Sequence, residues 1–395
     1  MRPVAAVGRE QASIQRIEHH HDRFHGQWDL RWRTGTAIAV LPGEAIIVLP
    51  SAVPRPRQSG FPPATESRSC TLVKRVRTTE PIPFAPASPH PVSDLVIEVA
   101  NLVKHYGDIT AVADVSLQVE AGTIFGLVGP NGAGKSTAIE CIEGLRTPSD
   151  GSVRVLGRPP RQHRRELFRE IGVLPQHNEL LPSRLRVGEA VDLWRSFHDN
   201  PLSKDETLAL CGLGGRQKAR TARLSGGQRR RLMIALAQVG RPRLLILDEP
   251  SSGLDPVARY NIWRNLNAFK EQGGTILVST HYMDEAEEHC DQLCLLDHGR
   301  IQVLGNPRRL MEERRMRILV KVPHAPDLDR DKLLALDHAH QVEQVENEWF
   351  VFGATDRLYG ELKQLTGQEF LEMRPARLED LYLMTTGRAY RTGVD

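Results

Sequence analysis

The chain has 395 residues, a formal net charge of +3 and 40% hydrophobic residues, which suits a soluble globular protein of two or three domains. No continuous apolar run reaches the roughly 20 residues that a transmembrane helix needs. The five cysteines are scattered, which argues against a disulfide framework or a C-x-x-C metal pair and indicates a reducing cytosol.

The first 93 residues differ in texture from the rest of the chain. They contain twelve prolines, no sustained hydrophobic period, and 12 Arg and Lys against 7 Asp and Glu. We predict that residues 1–93 form a disordered or non-native extension, with Val92 as a candidate alternative initiator. The remaining residues carry 40 Arg and Lys against 42 Asp and Glu, which predicts no nucleic-acid partner. Four histidines suggest a metal site, but no partner ligands stand nearby and a solvated tract is favoured: His19, His20, His21 and His25.

Two alternating segments and an aromatic residue precede the main motif of the chain. Residues 95–99 and 115–120 alternate apolar and polar positions, which predicts antiparallel strands. Tyr106 lies between them, directly before a glycine turn. Its ring can lie on adenine or pack at the sheet edge, and the spacing alone favours neither interpretation.

The main motif is a phosphate loop, G-x-x-x-x-G-K-[ST], at residues 129–137. A short apolar run precedes it and apolar residues at helical spacing follow it, so the loop is predicted to join a strand to a helix. Its glycines let backbone N–H groups converge on a phosphate, Lys135 would reach the β- and γ-phosphates, and the Ser136 hydroxyl would hold Mg²⁺. The loop consists of Gly129, Pro130, Asn131, Gly132, Ala133, Gly134, Lys135, Ser136 and Thr137.

A second strand end, near residue 176, follows the phosphate loop. An apolar run from residue 171 ends at Gln176, whose neutral amide could sense Mg²⁺ or the attacking water beside a nucleotide. Without other context, a surface glutamine is the default interpretation. Residues 184–222 then alternate apolar and charged positions at helical spacing, which predicts a small helical subdomain.

A second glycine-rich element opens a helix at residues 224–228. Ser225 is a good N-cap, and the backbone N–H groups after it form a second anion site in the same chain. A single phosphate does not need two such sites, so we expect each to serve a different nucleotide across a dimer. The arginines at 229–231 are expected on a solvated face. The residues of this element after its leucine are Ser225, Gly226, Gly227 and Gln228.

Two carboxylates follow the apolar run at residues 244–247, where ligands of open α/β sheets bind. We expect Asp248 to hold Mg²⁺ and Glu249 to act as general base toward the attacking water. Asp255, in the turn that follows, is available to a partner subunit. Another apolar strand ends at His281, which is able to hydrogen-bond a γ-phosphate.

These elements, in this order, resemble the nucleotide-binding domain of ABC transporters over roughly residues 95–312. The resemblance makes residues 224–228 the signature motif, residues 251–255 the D-loop and His281 the switch histidine. It also matches Tyr106 to the adenine-stacking position and Gln176 to the Q-loop. No catalytic position departs from the family pattern.

Three further segments resemble the ATPase subunits of ABC-2-type exporters, the daunorubicin-resistance-like group. They lie at residues 280–287, 297–301 and 377–388. The resemblance implies an α/β P-loop NTPase fold with a RecA-like core, an antiparallel β subdomain and a helical subdomain at residues 94–315. Beyond residue 315, strand-like runs at 318–322, 341–345 and 349–352 and helical stretches near 356–366 and 377–386 predict a small C-terminal α+β appendage at residues 316–395.

The resemblance also implies a mechanism and partners. Two copies would pair head to tail as a homodimer, with ATP on one phosphate loop capped by Ser225 and Gly227 of the other copy. Hydrolysis would drive a separate ABC-2-type integral membrane permease, contacted through roughly residues 176–200. The chain would be cytoplasmic and peripheral on the inner face of the cell membrane. A non-transport ABC ATPase, such as a translation or DNA-repair factor, is the alternative, and a nucleotide-dependent interaction protein is a third hypothesis.

Overall fold

The computed structural model describes residues 29–33, 36–41, 44–50, 95–176 and 181–387. Residues 1–78 and 79–395 form two separate units. The first unit contains an antiparallel meander in the order β1-β2-β3. This meander lies within the extension at residues 1–93, whose non-native origin stays a prediction, and the histidines at positions 19–25 lie outside the described residues. Its strands are β1 (Asp29–Arg33), β2 (Thr36–Leu41) and β3 (Glu44–Pro50).

The second unit begins with a three-stranded antiparallel sheet in the order β5-β4-β7. Its first two strands alternate buried and exposed residues, as expected for a sheet with one face on a core. The antiparallel strands predicted at residues 95–99 and 115–120 are confirmed. The strands are β4 (Leu95–Tyr106), β5 (Ile109–Glu120) and β7 (Asp150–Val155).

A six-stranded sheet forms the centre of this unit, in the order β12-β11-β6-β10-β9-β8. Only the β11–β12 pair is antiparallel. Three neighbouring strands, β6, β10 and β9, are buried along their whole length, which explains their unbroken apolar runs. Because these three strands are parallel, their carboxyl ends meet at one edge. The strands are β6 (Ile124–Val128), β8 (Ile171–Leu174), β9 (Leu244–Asp248), β10 (Thr275–Thr280), β11 (Gln292–Asp297) and β12 (Arg300–Gly305).

Eight helices between residues 95 and 315 of the described chain surround these sheets. The predicted helical subdomain is present as α3 and α4, which pack against each other, and α4 in turn packs on α5. The basic stretch after residue 160 forms only the single turn α2. The helices are α1 (Lys135–Ile142), α2 (Arg164–Leu167), α3 (Val187–Arg195), α4 (Lys204–Leu210), α5 (Gly226–Gln238), α6 (Pro256–Glu271), α7 (Met283–His289) and α8 (Pro307–Glu313).

The C-terminal part is a four-stranded antiparallel sheet in the order β14-β15-β13-β16, with three helices. Most of it has its own apolar cluster, but α11 packs against α7, and Glu287 Oε2 accepts a hydrogen bond from Leu378 N at 2.9 Å. The predicted α+β character is confirmed. The elements are β13 (Ile318–Pro323), α9 (Arg330–Leu334), β14 (Ala339–Val345), β15 (Glu348–Gly353), α10 (Arg357–Thr366), β16 (Glu372–Pro375) and α11 (Leu378–Thr386).

None of the helices in the described ranges combines the length and the apolar character that crossing a bilayer requires.

Candidate functional site

The phosphate loop leaves β6 and enters α1, as the sequence predicts. All three of its glycines have positive φ angles, +154° at Gly129, +80° at Gly132 and +99° at Gly134. A Cβ at Gly129 would lie 2.1 Å from the carbonyl oxygen of Leu296, and one at Gly134 would lie 2.3 Å from that of Ala111. Side chains are therefore excluded at both positions by neighbouring backbone, which holds the loop against the two sheets. Gly132, with φ +80°, faces open space instead.

Lys135 is the buried cation of this loop. Its Nζ donates hydrogen bonds to the carbonyl oxygens of Gly129 at 2.8 Å and Pro130 at 2.9 Å, and lies 3.9 Å from Glu249 Oε1. Burial lowers the pKa of Lys135, and the nearby carboxylates of Glu249 and Asp248 oppose that shift. The ammonium group therefore lies between the loop and the carboxyl end of β9.

Asp248 ends β9 beside the phosphate loop. Its carboxylate accepts hydrogen bonds from the hydroxyls of Ser279 and Ser136. Burial raises the pKa of Asp248, and these two hydrogen bonds lower it. Hydroxyl and carboxylate oxygens facing one another suit a hard cation such as Mg²⁺, which binds through one or two carboxylates and substrate phosphates. Within the described chain, no three His, Cys, Asp or Glu residues form a metal cluster, so a cation here would depend on the phosphates as well.

Glu249 follows in a strained backbone conformation, with φ +48°. Its N–H donates to Ser279 Oγ at 2.9 Å, and its Oε1 lies 3.3 Å from His281 Nδ1. Hydrogen bonding with His281 lowers the pKa of Glu249, while burial opposes this shift. The carboxylate is thus held in its ionised form, which is the form that can accept a proton from water.

Ser279 is a functional residue that the sequence analysis missed. It is fully buried in β10, where it accepts a hydrogen bond from Glu249 N and donates one to Asp248. A hydroxyl residue directly after the apolar run at residues 276–278 was the available signal. Ser279 thereby joins the carboxylate of Asp248 to the backbone of Glu249.

The signature motif caps α5 as predicted. Ser225 Oγ accepts from Gln228 N at 3.3 Å, and Gln228 Oε1 accepts from Ser225 N at 3.2 Å, which forms a capping box. Gly227 lies close to α6, the D-loop helix, which begins directly after residue 255. A Cβ on Gly227 would be 3.2 Å from Ala258 Cβ. Asp255 caps that helix, accepting from Ala258 N at 2.9 Å. The motif and the D-loop therefore lie side by side, with Ser225 and Asp255 both exposed.

The expected solvated face at residues 229–231 is wrong for Arg230, which is only 3% exposed. Its guanidinium donates to the carbonyl oxygens of Asp248 at 2.7 Å, Glu249 at 2.5 Å and Pro250 at 3.0 Å. It also reaches the carbonyl oxygens of residues 175 and 176, each at 3.4 Å. Burial lowers the pKa of Arg230 to about 10. The signal was helical spacing, because buried Met233 and Ile234 follow three and four residues later.

Two predicted site residues, Tyr106 and Gln176, lie at the margin of the candidate site. Tyr106 ends β4 with 40% of its surface exposed, and Lys104 Nζ lies 5.2 Å from its ring centre. Its open ring face suits stacking better than core packing. Gln176 is exposed two residues beyond β8, and residues 177–180 after it lie outside the described ranges. The backbone carbonyl oxygen of Gln176 accepts a hydrogen bond from Arg230, which also donates to the carboxyl end of β9.

Glu143 is a further buried carboxyl group, at the end of α1. It is 4% exposed, and one of its carboxyl oxygens has no hydrogen-bond partner. Burial, reinforced by the negative charge of Asp248, raises the pKa of Glu143 to about 8. This carboxyl group is therefore protonated in the folded protein at neutral pH.

The phosphate loop, the carboxylate-bearing strand and the capped glycine-rich helix define an ATPase of the P-loop class. Residues 112–252 match the sequence profile of the ABC transporter family. A Nod factor export ATP-binding protein I from Rhizobium meliloti is 38% identical over 306 residues, covering 76% of this chain and 90% of that protein. The protein of the same name from Cupriavidus pinatubonensis is 36% identical, covering 77% of this chain and 94% of the relative.

Solved structures show the same fold. An ATP-binding subunit of an ABC transporter is 31% identical, with a TM-score of 0.51 over 55% of this chain and 92% of its own. The cbiO1 protein of Clostridium perfringens, part of the ABC transporter complex cbiONQ, is 30% identical, with a TM-score of 0.50 over 56% and 92%. The chain belongs to the ABC transporter family as an ATP-binding, ATP-hydrolysing subunit, and the two relatives are named as export ATP-binding proteins. The resemblance seen in the sequence is thereby confirmed.

We expect Arg230→Lys to lower the rate constant of ATP hydrolysis by about tenfold or more, with nearly unchanged ATP affinity. A lysine keeps the charge but cannot donate to carbonyl groups at both strand ends, so the base is displaced. Steady-state kinetics and a nucleotide titration measure the two quantities. Arg229→Lys is the matched control, and an Arg230→Lys enzyme with wild-type kcat would contradict the interpretation.

We expect Glu143→Gln to stabilise the protein at pH 8 but not at pH 4.5. Between pH 4.5 and about 8 the unfolded state binds fewer protons than the folded state, so the free energy of unfolding falls as pH rises. Glutamine removes that ionisation, with a gain on the order of 1–3 kcal/mol at pH 8. Denaturant unfolding at both pH values measures it, with exposed Glu120→Gln as control. An equal change in the free energy of unfolding at both pH values would contradict the raised pKa of Glu143.

Proposed function

We propose that this chain is the motor of an export complex in which two copies pair head to tail around two ATP molecules and Mg²⁺. One observation carries the proposal. The chain holds a complete hydrolytic cluster beside its phosphate loop, formed by Lys135, Ser136, Asp248, Glu249 and His281. On another helix, the exposed N-cap residue Ser225 takes no part in that cluster. A second copy supplies the missing lid if its Ser225 faces the phosphate loop of the first.

The cluster assigns a role to each side chain. Lys135 binds the β- and γ-phosphates, while Ser136 and Asp248 hold Mg²⁺, which neutralises phosphate charge when bound. Glu249, ionised and fixed by Ser279, accepts the proton of the attacking water. His281, 3.3 Å from Glu249, donates to the γ-phosphate and keeps the base oriented.

The remaining residues complete the pocket. The ring of Tyr106 stacks on adenine, and Gln176 senses the cation or the attacking water from the second strand end. The rest of the loop binds phosphate through backbone N–H groups, with open space beside Gly132. From the second copy, residues 225–228 bind the γ-phosphate and Asp255 contacts the facing loop.

We further propose that the motor acts on a separate ABC-2-type permease from the inner face of the cell membrane. The contact surface lies around residues 176–200, which joins Gln176 to the helical subdomain. The relatives are named for Nod factor export, which supports an exported cargo. The names of these relatives give no support to a drug as cargo. The choice of cargo lies with the permease.

We expect Glu249→Gln to bind ATP normally and to hydrolyse it at least about 100-fold more slowly. The amide keeps the shape of the carboxylate but accepts no proton, so the ATP-bound dimer accumulates. Single-turnover kinetics and size-exclusion chromatography with ATP measure both effects. Exposed Glu271→Gln is the control, and wild-type turnover in Glu249→Gln would remove this residue from the role of base.

We expect two inactive variants, Lys135→Ala and Ser225→Ala, to restore ATP hydrolysis when mixed. A mixed dimer combines the intact loop of one copy with the intact signature motif of the other, so one pocket is complete. Turnover of each variant alone and of the mixture is the measurement. Ser203→Ala removes an equivalent capping box from α4 and controls for helix stability. A mixture no more active than its components would contradict the head-to-tail arrangement.

A further inference from the structure

A buried carboxylate on α7 lies outside the hydrolytic cluster. It contacts residues on both sides of that cluster, at the start of the D-loop and at the end of β10. Glu285 is 3% exposed, and its Oε2 accepts hydrogen bonds from Ser251 Oγ at 2.6 Å and Thr280 Oγ1 at 3.2 Å. Ser251 is the second residue after Glu249 and the first of the D-loop. Thr280 directly precedes His281. One side chain therefore joins the start of the D-loop to the end of the strand that carries the switch histidine.

Arg259 extends this connection to the D-loop helix. Its Nε lies 3.3 Å from Glu285 Oε1, and its guanidinium lies 4.1 Å from the ring centre of Tyr282. The ring of Tyr282 lies 4.2 Å from that of His281. Because Arg259 lies one helical turn after Asp255, a displacement of the D-loop reaches the switch histidine through Arg259 and Tyr282.

The charge of Glu285 is costly in this position unless it is matched. Burial raises the pKa of Glu285, whereas interactions with Ser251, Trp263, Arg259 and Thr280 lower it. A neutral side chain of the same shape would fill the space, but it would not attract the guanidinium of Arg259. An acid at this position therefore holds the guanidinium of Arg259, in addition to filling space in the core.

We propose that Glu285 is a positioning residue for ATP hydrolysis, which ties the D-loop to the switch histidine so that a second copy docking at the D-loop aligns His281 and Glu249. The inference rests on the proposed head-to-tail dimer. It assigns Glu285 no contact with nucleotide. Loss of the tie should therefore lower kcat and leave the binding of ATP to the phosphate loop intact.

The decisive variant is Glu285→Gln, which keeps the shape and the hydrogen-bond acceptor but loses the pairing with Arg259. We expect kcat to fall about tenfold, since a misplaced catalytic group is the only defect. KM and the affinity measured by nucleotide titration should stay within about twofold of wild type. The exposed neighbour Glu288, changed to glutamine, is the matched control and should hydrolyse ATP at the wild-type rate.

Two results would overturn the proposal: an unchanged kcat in Glu285→Gln, or a parallel loss of kcat, ATP affinity and melting temperature, which marks a purely structural role. Arg259→Gln supplies a second test that does not depend on this variant. It should reproduce the kcat defect, and the double variant should be no slower than either single variant, because both break one connection. Additive losses would refute the shared path.

Failure of the inference is distinguishable from failure of the proposed function. If mixed Lys135→Ala and Ser225→Ala chains restore hydrolysis while Glu285→Gln behaves as wild type, the dimer stands and only the role of Glu285 falls. If the mixture stays inactive, the dimer itself falls, and the inference falls with it.

Discussion

A buried guanidinium fixes the carboxyl end of the central sheet, and the geometry of the hydrolytic cluster depends on it. Arg230 donates to the carbonyl oxygens of three consecutive residues, 248–250, just where the chain turns into the left-handed conformation of Glu249. An unsupported backbone would relax from that conformation at a gain on the order of 1–3 kcal/mol. Because Arg230 belongs to the helix capped by Ser225, the helix of the anion site and the end of the strand form one rigid piece.

Two cations at the same edge of the central sheet also offset the charge of two buried acids. Two adjacent carboxylates, Asp248 and Glu249, are both buried, and their pKa values shift in opposite directions. Lys135 and Arg230 supply the compensating positive charge from the loop side and the helix side. Each cation also donates hydrogen bonds to backbone carbonyl groups. The same two side chains therefore offset the charge of the acids and fix the backbone beside them.

Local patterns were enough to predict the main elements of the described fold. The phosphate loop, the buried strands and the N-cap at Ser225 are encoded in short runs with a fixed spacing, and so are the strands of the appendage. Arg230 and Ser279 escaped prediction because their partners lie between 18 and 55 residues away in sequence. A run of three arginines looks solvated until the helix is docked on the sheet, and burial of the middle one depends on that docking.

The contact between α7 and α11 gives the C-terminal sheet a share in the stability of the ATPase core. Leu378, Leu381 and Tyr382 belong to the same apolar cluster as Met283 and Ala286, and Leu378 N is bonded to Glu287. Exchanging this appendage between family members by recombination would therefore leave mismatched surfaces unless both helices were inherited together. The appendage is therefore not a module that can be exchanged independently of α7.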